Sequence, residues 1–504
     1  MVCKSWTLPH RTGQVTAASH SLWGSVRLTY AVCAFLSICL HSAMRSMLAM
    51  VILRMVRPRP EDALLMTGAA LELERSNSTA AGQCGGSVFG LASGIQVTQP
   101  TGDLPWTRNQ ELTFPGVFYY GYVISIPLAG HLSDRFSSKR LFIMSLVCEA
   151  LAYFLLPTMA HHSYGAAVVS LVVSGMCAGC GNPPLYQLFV TWAHPTERTS
   201  LLSFAYIGLL MGSIVVYPVA NYLSDFAWEL SFYVVASVTL VFGISCHWLI
   251  YDSLDQHPRI SDAEMAYLQR EPLTRSQLSV PWRHLLTSLP VYAFILTHIF
   301  HNYTFLVLSV VMPRFMREAM QFNLHDVGVL SAAPYLGGMF SKLICVFSCG
   351  YVERRVGLNQ SWMRRLLYVA CSILTMVFIG IIICAGCEQK TLVMLMYAFL
   401  YATTDMGFSA GYWPTLLYFA PSFAGLLSGV ANCLAHLSGF LAPHLVAALV
   451  HTGAKDEWNI VLMTLIIFNG MAMVVFGLFS STRLQPWDPR RHMESLSATQ
   501  ANVH

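Results

Sequence analysis

Gly130-His131-Leu132-Ser133-Asp134-Arg135-Phe136-Ser137-Ser138-Lys139-Arg140 is a short charged stretch between two apolar runs, 113–130 and 141–160. A helix needs about 20 apolar residues to cross the hydrocarbon of a bilayer, and both runs approach that length. The stretch therefore reads as a tight turn between two membrane spans. Gly130 lets the helices approach, Asp134 can face a helix N-terminus, and Arg135, Lys139 and Arg140 suit a cytoplasmic surface. Taken alone, such a turn does no more than set orientation.

Further spans extend outward from it. Apolar runs at 28–53, 165–190, 201–223 and 230–251 complete six with the two above, and a polar stretch 252–289 follows. Six more lie at 290–312, 327–352, 366–386, 391–413, 422–450 and 458–480. The expected fold is an all-α membrane protein of twelve transmembrane helices in two six-helix halves. Its segments are a cytoplasmic stretch 1–27, a half 28–251 with a long outer loop 54–112, a central loop 252–289, a half 290–480 and a tail 481–504. Composition agrees, with 55% apolar and 11% charged residues in 504, against roughly 25% charged in a soluble protein. The first run is too long for a signal-peptide core and reads as an uncleaved anchor.

Charge placement orients the spans. With both termini cytoplasmic, the inner segments hold 18 of the 29 lysines and arginines, whereas the short outer loops hold Arg314, Arg317, Lys390 and Lys455. That is the positive-inside distribution. Asn77-Ser78-Thr79 then falls in the long outer loop as a glycosylation acceptor, while the sequons at Asn302 and Asn359 fall in a span and in the cytoplasm.

Several function classes drop out. A net charge of +4 without arginine-rich tracts argues against nucleic acid. The chain has no Walker loop, HExxH or GxSxG and no soluble domain large enough for ATP, so neither an enzyme nor an ATP-driven pump is expected. Most of the 14 cysteines lie in apolar runs and only Cys84 sits deep in a polar loop, so no disulfide framework is expected. Cys177-x-x-Cys180 lies among small residues in an apolar helix and reads as packing rather than redox chemistry. No metal or cofactor is expected, and the protein is expected to be a monomer in the bilayer.

The charged turn also resembles the inter-helix signature of the major facilitator superfamily. Trp192-Ala193-His194-Pro195-Thr196-Glu197-Arg198, Tyr251-Asp252-Ser253 with His257-Pro258-Arg259, and Leu330-Ser331-Ala332-Ala333-Pro334-Tyr335 are similar to elements of its anion:cation symporter branch. So are Ala420-Pro421, Gly425, Gly429, Asn432, Gly439, Pro443 and the tail Gln485-Pro486-Trp487. That branch is solute carrier family 17, the phosphate, sialic acid and vesicular glutamate carriers, and the likeness runs from about residue 27 to 488.

The resemblance implies a carrier with a central solute site alternately open to either side, in the plasma membrane or an endolysosomal or vesicular membrane. Polar groups inside spans are costly and mark pathways. Arg45 has a guanidinium fork suited to carboxylate or phosphate, and the family has an arginine at this place. The alternative is internal pairing with Glu149 or Asp405. Tyr119 and Tyr122 flank Gly121 in a family-like aromatic element and offer hydroxyls to an anion or pack between helices. His301 and Asn302 in span seven, and Asn432 with His436 in span eleven, are further candidates, His301 as a pH-dependent cation or a neutral structural imidazole. Asp405 and Glu149 are candidate coupling carboxylates for a co-transported proton or sodium ion, and Asp405 could equally pair with Lys342.

One departure stands out. Where the family has an arginine and, seven residues on, a glutamate in span four, this chain has Leu171 and Ala178. A methyl group cannot carry a proton. The expected function is secondary active transport of a small anion, with an uncoupled facilitator or a non-transporting receptor or scaffold as alternatives.

Overall fold

The computed structural model describes residues 24–57, 102–269, 280–356, 359–489 and 491. It contains 12 helices long and apolar enough to cross a membrane. The first half comprises α1 (Val26–Met55), α2 (Arg108–Arg135), α3 (Ser138–His162), α4 (Tyr164–Trp192), α5 (Pro195–Ser224) and α6 (Trp228–Leu249). The second comprises α7 (Leu289–Glu318), α8 (Leu324–Leu330 continued by Ala333–Val356), α9 (Gln360–Cys384), α10 (Lys390–Phe419), α11 (Ala424–Leu449) and α12 (Lys455–Phe479). Helices satisfy every backbone group within the segment, the condition for crossing lipid. Both chain ends described lie on one face of the bundle, here the terminal face; the other is the opposite face.

Local sequence sets where helices begin. Ser25 and Ser163 cap α1 and α4, and Thr107 forms a capping box with Gln110 at α2. The charged turn differs from its expected form. It is not a ten-residue loop over 131–140: α2 continues to Arg135, and only Phe136 and Ser137 separate it from α3. Phe136 N–H still bonds Leu132 O at 2.8 Å, and Ser137 then caps α3 by accepting from Arg140 N–H at 3.1 Å. The acid at the α3 N-terminus is Asp252, which accepts from Lys139 N–H at 2.9 Å and from the Ser137 hydroxyl. The surroundings of Gly130, the side chains of Asp134 and Arg135, and all of Asn77 lie outside the described residues. Arg140 is exposed, and the Lys139 ammonium sits 4.3 Å from the centre of the Tyr251 ring. Cys387, in the α9–α10 loop on the opposite face, is disulfide-bonded, so a cross-link exists where cysteine placement suggested none.

Within the first half α2 packs on α4, α1 on α5, and α3 on α4 and α6. Glycines carry the closest seams. A Cβ at Gly175 would collide with Phe118 O, one at Gly179 with the Ser125 hydroxyl, and one at Gly212 with Cys39 O. Small residues let backbones touch where lipid supplies no hydrophobic drive. The halves meet where α2 faces α11, α5 faces α8 and α1 faces α7. Gly175→Ala should therefore cost roughly 1–3 kcal/mol through overpacking, seen as a lower Tm of the detergent-purified protein. Gly380→Ala, which meets nothing within 4 Å, should leave Tm unchanged.

Candidate transport site and its seal

Arg45 lies two thirds of the way along the 30-residue α1. The same stretch of α1 is fastened to α5, with Ser42 and Ser46 hydroxyls 3.0 and 2.7 Å from the Ser213 hydroxyl. That clamp leaves Arg45 directed at the junction of the two halves. Around it stand Tyr119 and Tyr122 of α2, Tyr335 of α8 and Tyr401 of α10, all within electrostatic reach. His436 of α11 completes the wall, its ring 4.9 Å from that of Tyr122 and 6.1 Å from that of Tyr119. Among the described residues no carboxylate forms an ion pair with Arg45. A permanent cation is thus presented to a half-buried space ringed by phenols.

Two irregular helices frame this space. α7 winds as a π-helix over Val307–Val311, and α10 over Gly407–Tyr412. A π-turn shifts backbone bonding and exposes carbonyls to side chains. Tyr217 of α5 donates to Ser309 O at 3.1 Å, and Tyr397 of α10 donates to Leu308 O. Tyrosines on both sides of α7 therefore take up the carbonyls that the irregular turn offers.

Of the candidates read from sequence, Arg45, Tyr119, Tyr122 and His436 come together. Asn182 donates to the Tyr122 hydroxyl at 2.7 Å and fixes it. His436 donates Nδ1–H to Asn432 O at 2.6 Å, because a carbonyl only accepts, and this leaves Nε2 as an acceptor. Asn302 and Asn432 are held by helix-to-helix bonds. Asn302 donates to Ala435 O at 2.7 Å, and Asn432 donates to Ser428 O at 2.9 Å while its Oδ1 meets His298 Nε2 at 3.1 Å. His301 stacks on Phe408 and lines a separate small cavity with Thr304, Tyr368 and Asn469, away from Arg45. Asp405 is 3.4 Å from Lys342 and accepts from Ser341 at 3.0 Å. Glu149 contacts His41. Sequence reading missed His41, Tyr217, Tyr335, Tyr397 and Tyr401. A histidine four residues before an intramembrane arginine was a usable signal for His41, and Tyr335 ends a family-like element; Tyr217, Tyr397 and Tyr401 gave none, because they are distant in sequence from Arg45.

At the opposite face a chain of charges joins the halves. Glu111 of α2 is 2.5 Å from Arg314 of α7, Arg314 is 2.7 Å from Glu318, and Glu318 is 2.6 Å from Arg108 of α2. Trp458 Nε1 donates to Glu318 at 3.1 Å, and Arg317 donates to Leu53 O at 2.6 Å. Toward the terminal side, contacts of α2 with α11 run from Gly116 to Tyr122 among the described residues, and a Cβ on Gly425 or Gly429, further along α11, would meet nothing within 4 Å. The charge chain thus joins the halves on the side of Arg45 away from the termini.

Two six-helix halves closing on a central polar site, joined across one end by a chain of charges, define a membrane transporter. Residues 86–443 match the Major Facilitator Superfamily, and the chain belongs to that family. Human (Homo sapiens) sialin is 28% identical over 393 residues, covering 77% of this chain and 78% of that protein. Vesicular glutamate transporter 1 of Bos taurus is 27% identical over 420 residues, covering 78% and 71%. Among solved structures, a D-xylose–proton symporter superposes with a TM-score of 0.64 at 11% identity, covering 92% of this chain and 100% of that one. These relatives belong to the group that the sequence resembles, and they are transporters rather than enzymes.

Glu318 is the member of the seal that touches two arginines. Removing one partner of a buried ion pair costs about 3–5 kcal/mol because a charge is stranded. Glu318→Gln should loosen the opposite face, so that a cysteine at buried Met312 becomes reactive to an impermeant thiol reagent applied from that side. Unchanged labelling would deny the network a sealing role.

Proposed function

We propose that this protein is a secondary transporter of a small anion, inorganic phosphate or an organic carboxylate, working by alternating access with both termini cytoplasmic. The observation that carries the reading is Arg45, a guanidinium in mid-span with phenols around it and no carboxylate paired to it among the described residues. Such a charge is retained where an anion comes to meet it. Tyrosine hydroxyls supply donors to the anion, and their rings keep water sparse. The disulfide at Cys387 supports the assigned orientation, since disulfides persist in oxidising compartments and that loop lies on the face away from the termini. The plasma membrane and the endolysosomal or vesicular membranes both meet this condition, and the carrier works as a monomer, with a proton or sodium ion as the driving partner.

Uptake into proteoliposomes, screened with phosphate, sialic acid, glutamate and urate, tests the reading. Arg45→Ala should abolish saturable uptake. Arg45→Lys should lower apparent affinity about tenfold or more, since an ammonium cannot reproduce the bidentate fork. Transport unchanged in Arg45→Ala would overturn the assignment. Burial of uncharged Leu171 and Ala178 in α4 favours a second reading, a receptor or scaffold without turnover. Any saturable flux sinks that alternative.

A further inference from the structure

Span four of this chain lacks the carboxylate that the resemblance leads one to look for, and Ala178 stands buried in its place. A titratable pair is packed against the same turn of α4. Glu149 of α3 is fully buried, and its carboxylate contacts Nδ1 of His41 on α1. A Cβ built on Gly181, three residues beyond Ala178 and on the same side of α4, would come 3.5 Å from His41 Nε2 and 2.8 Å from the Ser145 hydroxyl. The pair therefore fills the junction of α1, α3 and α4. His41 precedes Arg45 by one helical turn, which puts imidazole and guanidinium on one face of α1. Glu149 interacts electrostatically with Arg45 as well as with His41. The His41 side chain keeps 20% of its surface exposed, whereas that of Glu149 keeps 1%. The imidazole is thus the more accessible member of the pair.

We infer that His41 and Glu149 form a proton-binding pair that couples anion binding at Arg45 to proton movement, the α1–α3 seam taking the task for which α4 has no group. This rests on the anion reading of Arg45. With no proton on the pair, Glu149 is a carboxylate, His41 is neutral, and the negative charge satisfies Arg45 in competition with a solute. One proton taken from the open side makes the pair neutral overall, whichever of the two holds it. Arg45 is then left with its charge unbalanced and takes the anion. A monoanion and one proton cross together with no net charge, and release of the proton restores Glu149 to Arg45 and expels the anion. The other titratable groups facing Glu149 are Cys177 of α4, with Cys180 beside it, and Tyr153 of α3 itself with Cys148. Of the buried residues of α6, which packs on α3, only Cys246 is titratable, and its hydrogen-bond partner is Cys33.

The first test needs protons alone. Infrared difference spectra of the purified full-length protein between acid and alkaline pH should show a carboxyl C=O band that is absent in Glu149→Gln and displaced along the pH axis in His41→Gln. A wild-type band that survives in Glu149→Gln, or is missing altogether, overturns the inference. The second test uses proteoliposomes with labelled phosphate, sialic acid and glutamate. Wild type should accumulate its anion about tenfold per unit of imposed pH gradient, and in Glu149→Gln the ratio should fall to about 1. Gradient-driven accumulation retained in Glu149→Gln also overturns it. If wild type carries none of these anions while the band still depends on Glu149, the proton site stands and the anion reading falls. Elution as a single monodisperse peak shows that each variant has folded.

Discussion

A guanidinium held inside a bilayer protein with no carboxylate in ion-pair contact among the described residues constrains everything near it, because a bare charge in hydrocarbon is untenable. Arg45 is accommodated by position rather than by pairing. It stands where the two halves meet, with phenols from α2, α8 and α10 within electrostatic reach. The glycine and serine seam between α1 and α5 fixes its direction. Much of the irregular geometry follows from the same requirement. The π-turn in α7 presents the Leu308 and Ser309 carbonyls to Tyr397 and Tyr217.

Two other groups of charges show contrasting arrangements. Lys342 and Asp405 lie within the second half, and Ser341 and Ser409 also donate to the carboxylate. Arg108, Glu111, Arg314 and Glu318 span the two halves and alternate in sign. The first kind braces one half internally. The second holds the halves together at one end, where reversible opening is needed, and a chain of ion pairs separates and re-forms more readily than an interlocked apolar surface.

The fold was legible because the bilayer imposes a simple code of apolar length and positive charge, and twelve runs with a charged turn after the second obey it. Boundaries were less legible. α2 continues through residues read as loop, since Phe136 still finds an intrahelical acceptor and Asp252, from the far end of α6, supplies the acid at the start of α3. Arg45, Tyr119 and Tyr122 could be singled out because charge and aromatic density inside a span are conspicuous. His301 and Asn302 share that conspicuousness but lie on other walls of the second half, since their neighbours on α10 and α11 engage them.

The sequence by itself determined the number of spans, their division into halves, the presence of an arginine within the first and the loss of charge from the fourth. Those properties are local, fixed by composition within one helix length. Only the tertiary structure decided which helices bring tyrosines to Arg45, that His41 meets Glu149, and that α2 and α7 lock through four charges. These contacts join residues on different helices, far apart in the chain. The rotation of each helix about its axis sets them, and hydrophobic runs of nearly uniform polarity leave that rotation to packing.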